Sequence, residues 1–158
     1  MTDMTESLTF ADSILIEADP ATVYKTVSDV TRTGEWSPIC KECWWDEDDG
    51  PRVGAWFTGR NVTPDREWQT RSQVVVADEG RAFGWSVGPG RVHWTYSVEE
   101  AEGGTLLTES WDFLPEGQAF FDEKYGDQAA EQVAERTAAA RAGIPETLAA
   151  IKKVIEGA

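Results

Sequence analysis

The sequence offers almost nothing that would cross-link a fold or hold a metal. Its 158 residues include two cysteines and one histidine, too few for a disulfide framework or for the four ligands of a structural zinc site. No aliphatic run approaches the roughly 20 residues of a membrane span. The opening "MTDMTESLTF" has neither the basic nor the apolar segment of a secretion signal. The expectation is a protein of a reducing cytoplasm, with no stable membrane insertion. Positive charge is scarce too: 14 Lys and Arg face 29 Asp and Glu, for a formal net charge of −15. Such a surface repels phosphate backbones, which argues against nucleic acid as a partner. With no linker, repeat or low-complexity tract, residues 1–158 are expected to form one domain with one core.

What is present is aromatic and periodic. "LTFADSILIE" has strand composition, and "DPATVYKTVSDV" follows it with an N-cap at Asp19, Pro20 in the first turn, and Val23, Val27 and Val30 on one helical face. A short helical turn is expected around Thr33 to Trp36. Then come "CKECWWDE", "GAWFTGRNV", "EWQTRSQVVVA", "RAFGWSV", "RVHWTYSVEEA" and "TLLTESWDFL", separated by turn chemistry such as "TPD", "ADEG", "GPG" and "EGG". Short connections predict a sequential antiparallel sheet. The last third changes period, with Val133, Thr137, Ala140, Ile144, Leu148, Ile151 and Ile155 forming one stripe on a long helix that Pro145 should kink. The fold class is therefore α+β: about seven curved antiparallel strands wrapped around a long C-terminal helix, with one or two short helices after the first strand.

Strand alternation assigns the face between sheet and helix. Trp68, Thr70, Ser72, Val74 and Val76 fall on it, as do Phe83, Trp85 and Val87. Val92, Trp94, Tyr96 and Val98 join them, with Leu107, Glu109, Trp111 and Phe113; Phe57, Gly59 and Asn61 complete the set. A bulge would reverse parity beyond it. Opposite this wall the helix presents the small residues Ala134, Thr137, Ala138 and Ala140, which leaves either tight contact or a cavity.

In "GEWSPICKECWW" the Cys40/Cys43 pair invites a redox or metal reading. Neither suits a strand, in which residues three apart face opposite sides. The pair is expected to be two small thiols with neither metal nor native bridge. Trp36 and Trp45 instead extend the aromatic wall. The polar members of the inner face, Asn61, Thr70, Ser72, Tyr96 and Glu109, need partners if buried; each has a structural explanation as well as a functional one. Arg60 and Arg66 either guard an entrance or are solvated.

These elements resemble the START-like helix-grip (SRPBCC) superfamily, in its branch of polyketide cyclase/dehydrase and lipid-transport proteins. The resemblance is carried by "ILIEADPATVYKTVSDV", "TGEWSP", "VGAWFTGRN", "GTLLTESWDF" and "GIPETLAAIKKVIE". It implies an apolar tunnel between sheet and final helix. Related aromatase/cyclases combine a pocket arginine with hydroxyl, histidine or acidic groups; here His93 has outward parity and no arginine is assigned inward.

Binding or transport of a small hydrophobic or aromatic molecule is accordingly the first expectation. Trp36, Trp45, Phe57, Asn61, Trp68, Ser72, Phe83, Trp85, Trp94, Tyr96, Trp111 and Ala140 would line the site, without cofactor or metal. The alternatives are a cofactor-independent cyclase in which Glu109 moves a proton while Asn61, Ser72 or Tyr96 polarises a carbonyl, and a regulatory or protein-interaction module. A homodimer is left open.

Overall fold

The computed structural model of the chain describes residues 7–48, 50–88 and 90–157. The segment read for targeting signals begins before them, and the middle residue of the "GPG" turn also lies outside the described residues.

Strand β1 (Leu8–Ile16) leads into α1 (Pro20–Val27) and a 3₁₀ turn (Val30–Glu35). The capping expectation holds: the Thr22 N–H donates to Asp19 Oδ1 at 2.7 Å, with Pro20 in the first turn. Six strands follow: β2 (Cys40–Trp45), β3 (Trp56–Thr63), β4 (Arg66–Asp78), β5 (Ala82–Val87), β6 (Val92–Ala101) and β7 (Gly104–Phe113). They form one antiparallel sheet in the order β1-β7-β6-β5-β4-β3-β2. The architecture is the α+β helix-grip fold expected from the sequence.

Two bulges alter side-chain direction. Pairing of β4 with β5 shifts between Val74 and Val76, leaving Val75 39% exposed. Beyond that shift Ala77, not Val76, lies opposite the buried Phe83 and packs on the core; Val76 is therefore not an inner-face residue. The second shift, between Cys40 and Glu42 on β2, removes the premise that residues three apart there face opposite sides. Local alternation carries no sign of either bulge, because each depends on the neighbouring strand.

The C-terminal helical region is two helices. Helix α2 (Pro115–Tyr125) ends at Gly126, whose φ of 55° is readily adopted only without a Cβ, and α3 (Ala129–Ile155) follows a single 3₁₀ turn. Pro145 sits inside α3, where its missing N–H leaves the Arg141 carbonyl without its usual donor. The stripe expected on α3 is buried at Ala140, Ile144, Leu148 and Ile151. It packs chiefly on β1, with further contact to β7 and α2. No described helix is long and apolar enough to cross a membrane.

Helix α2 docks closely against the rim of the sheet. A Cβ on Gly117 would lie 2.6 Å from the Arg91 carbonyl oxygen and 2.7 Å from Cε1 of Phe113. The backbone at Arg91 is tied to β7 by the Leu114 N–H, which donates to its carbonyl at 2.9 Å. Gly117→Ala should therefore lower stability by about 1–3 kcal/mol through overpacking, despite the better helix propensity of alanine. Denaturant unfolding will measure this, and a neutral or stabilising result would show that α2 can move off the sheet.

Candidate ligand-binding site

The site is built from cross-strand partners on the inner face. Phe57 of β3 lies opposite Trp45 of β2 and Ser72 of β4; Trp85 of β5 lies opposite Trp94 of β6, which lies opposite Trp111 of β7. Ring contacts knit this wall together. Trp45 meets Phe57 edge-on at 5.6 Å, Phe57 meets Trp85 at 5.9 Å, and Trp85 lies 5.8 Å from Phe83 and 5.7 Å from Tyr96. Edge-to-face geometry of this kind lets ring quadrupoles attract while covering large apolar areas.

Burial divides the wall. Trp36, Phe57, Phe83, Tyr96 and Trp111 are buried, whereas Trp45, Trp68, Trp85 and Trp94 keep part of their surface open. The open residues lie on strands away from α3, which leans toward β1 and β7. Trp68 is set apart at the β3–β4 end, with the Arg66 guanidinium 3.9 Å from its ring centroid. Near it, Asn61 donates from Nδ2 to Thr70 Oγ1 at 3.2 Å and to the Trp68 carbonyl at 3.4 Å. Arg60 is directed outward to Glu42 at 2.9 Å and Glu67 at 3.7 Å. His93 lies opposite Ser86 and Asp112, away from the parity of the aromatic wall.

At the centre stands Glu109. Burial alternates without interruption along β7, and Glu109 falls in the buried phase with Leu107, Trp111 and Phe113. It lies opposite Tyr96 on β6 and Asp12 on β1. Glu109 is 4% exposed, and among the described residues its Oε1 has no hydrogen-bond partner. Burial pushes its carboxyl up to about 8, so the group is mainly protonated at neutral pH. The Tyr96 hydroxyl is raised first by its own burial and then by the charge Glu109 can carry, while a hydrogen bond from the Trp36 indole works in the opposite direction. The Trp36 indole thus ties the end of the 3₁₀ turn to Tyr96 on β6, beside Glu109 on β7.

A groove of about 640 Å³ lies at the edge of this core, between α2, α3 and the start of β1. Ala134, Thr137 and Ala138, three of the small helix residues noted in the sequence, line it with Val133, Gln118 and Arg141. Ala140 does not: it is 4% exposed and packs in the core with Ile144 and Leu148. Small helix residues therefore produce tight contact on the sheet side and an open groove on the adjacent side. Sequence reasoning missed the α2 wall because "LPEGQAFFDEKYG" does not stand apart from the helix after it by period alone; its leading proline and terminal Gly126 are the signals that mark a separate helix. Among the described residues, no group of three or more His, Cys, Asp or Glu is arranged to hold a metal ion.

Comparison with known proteins places these features. Residues 7–156 match the family described as polyketide cyclase / dehydrase and lipid transport. A solution NMR structure of a polyketide-cyclase-like protein from Corynebacterium glutamicum is 61% identical, with 97% of this chain and 94% of that chain covered and a TM-score of 0.72. The fold recurs in the di-domain aromatase/cyclase StfQ of the steffimycin pathway, at 16% identity and a TM-score of 0.69 over 96% of this chain and 51% of that one. It recurs also in a major latex-like protein of Panax ginseng, at 15% identity and a TM-score of 0.57 over 70% and 80% of the two chains. A search of curated proteins gives no match. The match along nearly the whole sequence and the 61% identity establish that this chain belongs to the polyketide cyclase/dehydrase and lipid-transport family of the SRPBCC superfamily.

Proposed function

We propose that the protein binds a small hydrophobic or aromatic molecule bearing a carbonyl or hydroxyl oxygen, with its apolar body against the aromatic wall and its oxygen at Glu109. The unpartnered Oε1 of Glu109 carries this reading. A buried polar atom left without a partner costs roughly 1–3 kcal/mol, and a ligand oxygen would remove that deficit. Because the carboxyl is mainly protonated at neutral pH, it can donate to a carbonyl as well as accept from a hydroxyl. The half-buried Trp45, Trp85 and Trp94 supply rings for the apolar body.

A second reading, cofactor-independent acid/base catalysis, is favoured by the same carboxyl, since an acid with a pKa of about 8 can exchange a proton near neutral pH. Tyr96 then becomes the polarising partner of choice because it sits directly opposite Glu109. Ser72 on β4 and Asn61 on β3 are three and four strand positions from β7, and Asn61 is already engaged.

Native mass spectrometry of the purified protein, followed by extraction, tests the first reading by revealing a bound apolar compound. Nile red provides a neutral probe that the −15 surface will not repel. Saturable binding is expected and should survive Ala138→Phe, which fills the separate α2–α3 groove from an exposed helix position while leaving the circular dichroism spectrum unchanged. Loss of binding in that variant would place the probe in the groove instead of at the aromatic wall. Absence of both bound compound and saturable probe binding would refute the proposal.

Glu109 also predicts a pH dependence with a definite sign. Its folded pKa of about 8 exceeds the ordinary 4.5, so the folded state holds the proton more tightly. The resulting stabilisation is complete below about pH 4.5, declines as pH rises, and is gone above about pH 8, amounting to on the order of 5 kcal/mol. Glu109→Gln should flatten that decline in chemical-denaturation profiles. Affinity for a carbonyl-bearing aromatic should fall about tenfold or more above pH 8 in the wild type and stay level in the Gln variant. If the chain is a catalyst, the same variant retains binding and loses about a hundredfold or more in turnover.

A further inference from the structure

The bulge in β2 turns Cys40 and Cys43 toward the same place. A Cβ built on Gly59, the β3 residue opposite Cys43, would lie 3.1 Å from Cys40 Sγ and 3.9 Å from Cys43 Sγ. Both sulfurs therefore sit over a position where this chain has no side chain. A second glycine supports the arrangement from the other side: any Cβ at Gly34, in the 3₁₀ turn, would collide with the carbonyl oxygen of Lys41, the residue skipped by the pairing. The two glycines let the turn and β3 close around the bulge. Both cysteines are free thiols; Cys43 is buried and Cys40 is partly open.

Their surroundings differ in the direction that thiol exchange requires. Interaction with Cys43 is the largest influence holding Cys40 below the usual thiol range, with burial opposing it and the nearby Arg60 charge assisting; the Cys40 thiol itself donates to the Glu42 carbonyl at 3.3 Å. Cys43 is pushed up, first by its interaction with Cys40 and then by burial. The more accessible sulfur is thus the better nucleophile, and the buried one holds its proton until the first has reacted.

We propose that Cys40 and Cys43 form a redox-active dithiol that closes to an intrachain disulfide by exchange with a low-molecular-weight disulfide. The Cys40 thiolate attacks one sulfur of that disulfide, forming a mixed disulfide and releasing one thiolate, which takes up a proton. Cys43 then loses its proton and attacks Cys40 Sγ, releasing the second small thiol. The two protein thiols are oxidised by two electrons, the small disulfide is reduced to two thiols, and excess small thiol reverses both steps. Closure would fix the bulge of the edge strand that also carries Trp45, linking oxidation state to one end of the aromatic wall. This site rests on the bulge and the two glycines, independently of any ligand at Glu109.

Equilibration of the full chain in glutathione buffers of stepped oxidised-to-reduced ratio, followed by acid quenching, alkylation and intact-mass measurement, tests the proposal. In folded protein the expected product has lost two hydrogens, resists iodoacetamide, and returns to the dithiol when reduced glutathione is added. Cys43→Ser should accumulate the glutathione adduct at Cys40, and Cys40→Ser should react about tenfold or more slowly than the wild type. A wild-type chain that stays folded by circular dichroism but forms no internal bridge at any ratio would overturn the proposal, as would bridging seen only under denaturing conditions. Phenylarsine oxide gives a measurement that needs no variant: one arsenic should bind both thiols and block both from alkylation, whereas continued labelling of either cysteine would show that the sulfurs do not meet.

Discussion

The pairing of β1 with β7 is the constraint on which the rest of the molecule depends. It runs in unbroken register from Leu8 opposite Phe113 to Ile16 opposite Thr105, joining the beginning of the described chain to its last strand. The pairing puts Leu8, Phe10 and Ile14 on the inner face beside Phe113, Trp111 and Leu107, and it gives α3 a surface to cover. The end of β1 is secured as well. Thr105 donates from its hydroxyl to the Ala18 carbonyl at 2.6 Å, and Lys152 of α3 donates to the Leu15 carbonyl at 2.7 Å. Fully buried side chains such as Ile16, Leu107, Ile144 and Ile151 each contribute about 1.5–3 kcal/mol, but only while strand, sheet and helix remain in this relation.

Because α3 is anchored over β1 and β7, the inner face is covered unequally. One end is a close-packed core in which Ala140, Ile144 and Leu148 meet the sheet. The other end retains partly open tryptophans on β2, β5 and β6. Glu109 is buried on β7, one strand from Trp94 and Tyr96. A carboxylate would be poorly tolerated there, which is why burial alone raises its pKa. The same unequal cover that stabilises the fold thus creates an acid with unused hydrogen-bonding capacity beside an aromatic surface.

The two cysteines illustrate how one inserted residue changes chemistry without changing composition. In a regular strand, Cys40 and Cys43 would diverge; the shift at Lys41 directs both sulfurs over Gly59. Neither Gly34 nor Gly59 looks unusual in the sequence. Their importance lies in close approach, one to a carbonyl and the other to two sulfurs.

The sequence by itself determined the succession of the seven strands, the helix after β1, the Asp19 cap, the buried stripe of α3 and the inward direction of Glu109. Each is written in a local period: 3.6 residues for a helix face, two for a strand. Alternation along β7 is unbroken, and for that reason the residue pattern alone assigns Glu109 to the inner face. Only the tertiary structure decided the bulges at Lys41 and Val75, the separation of α2 from α3, the groove between them, and the proton affinity of Glu109. Bulges are set by the partner strand, a groove by the distance between two helices, and a carboxyl's pKa by every group that excludes water from it. These are properties of neighbours distant in sequence, and local periodicity does not record them.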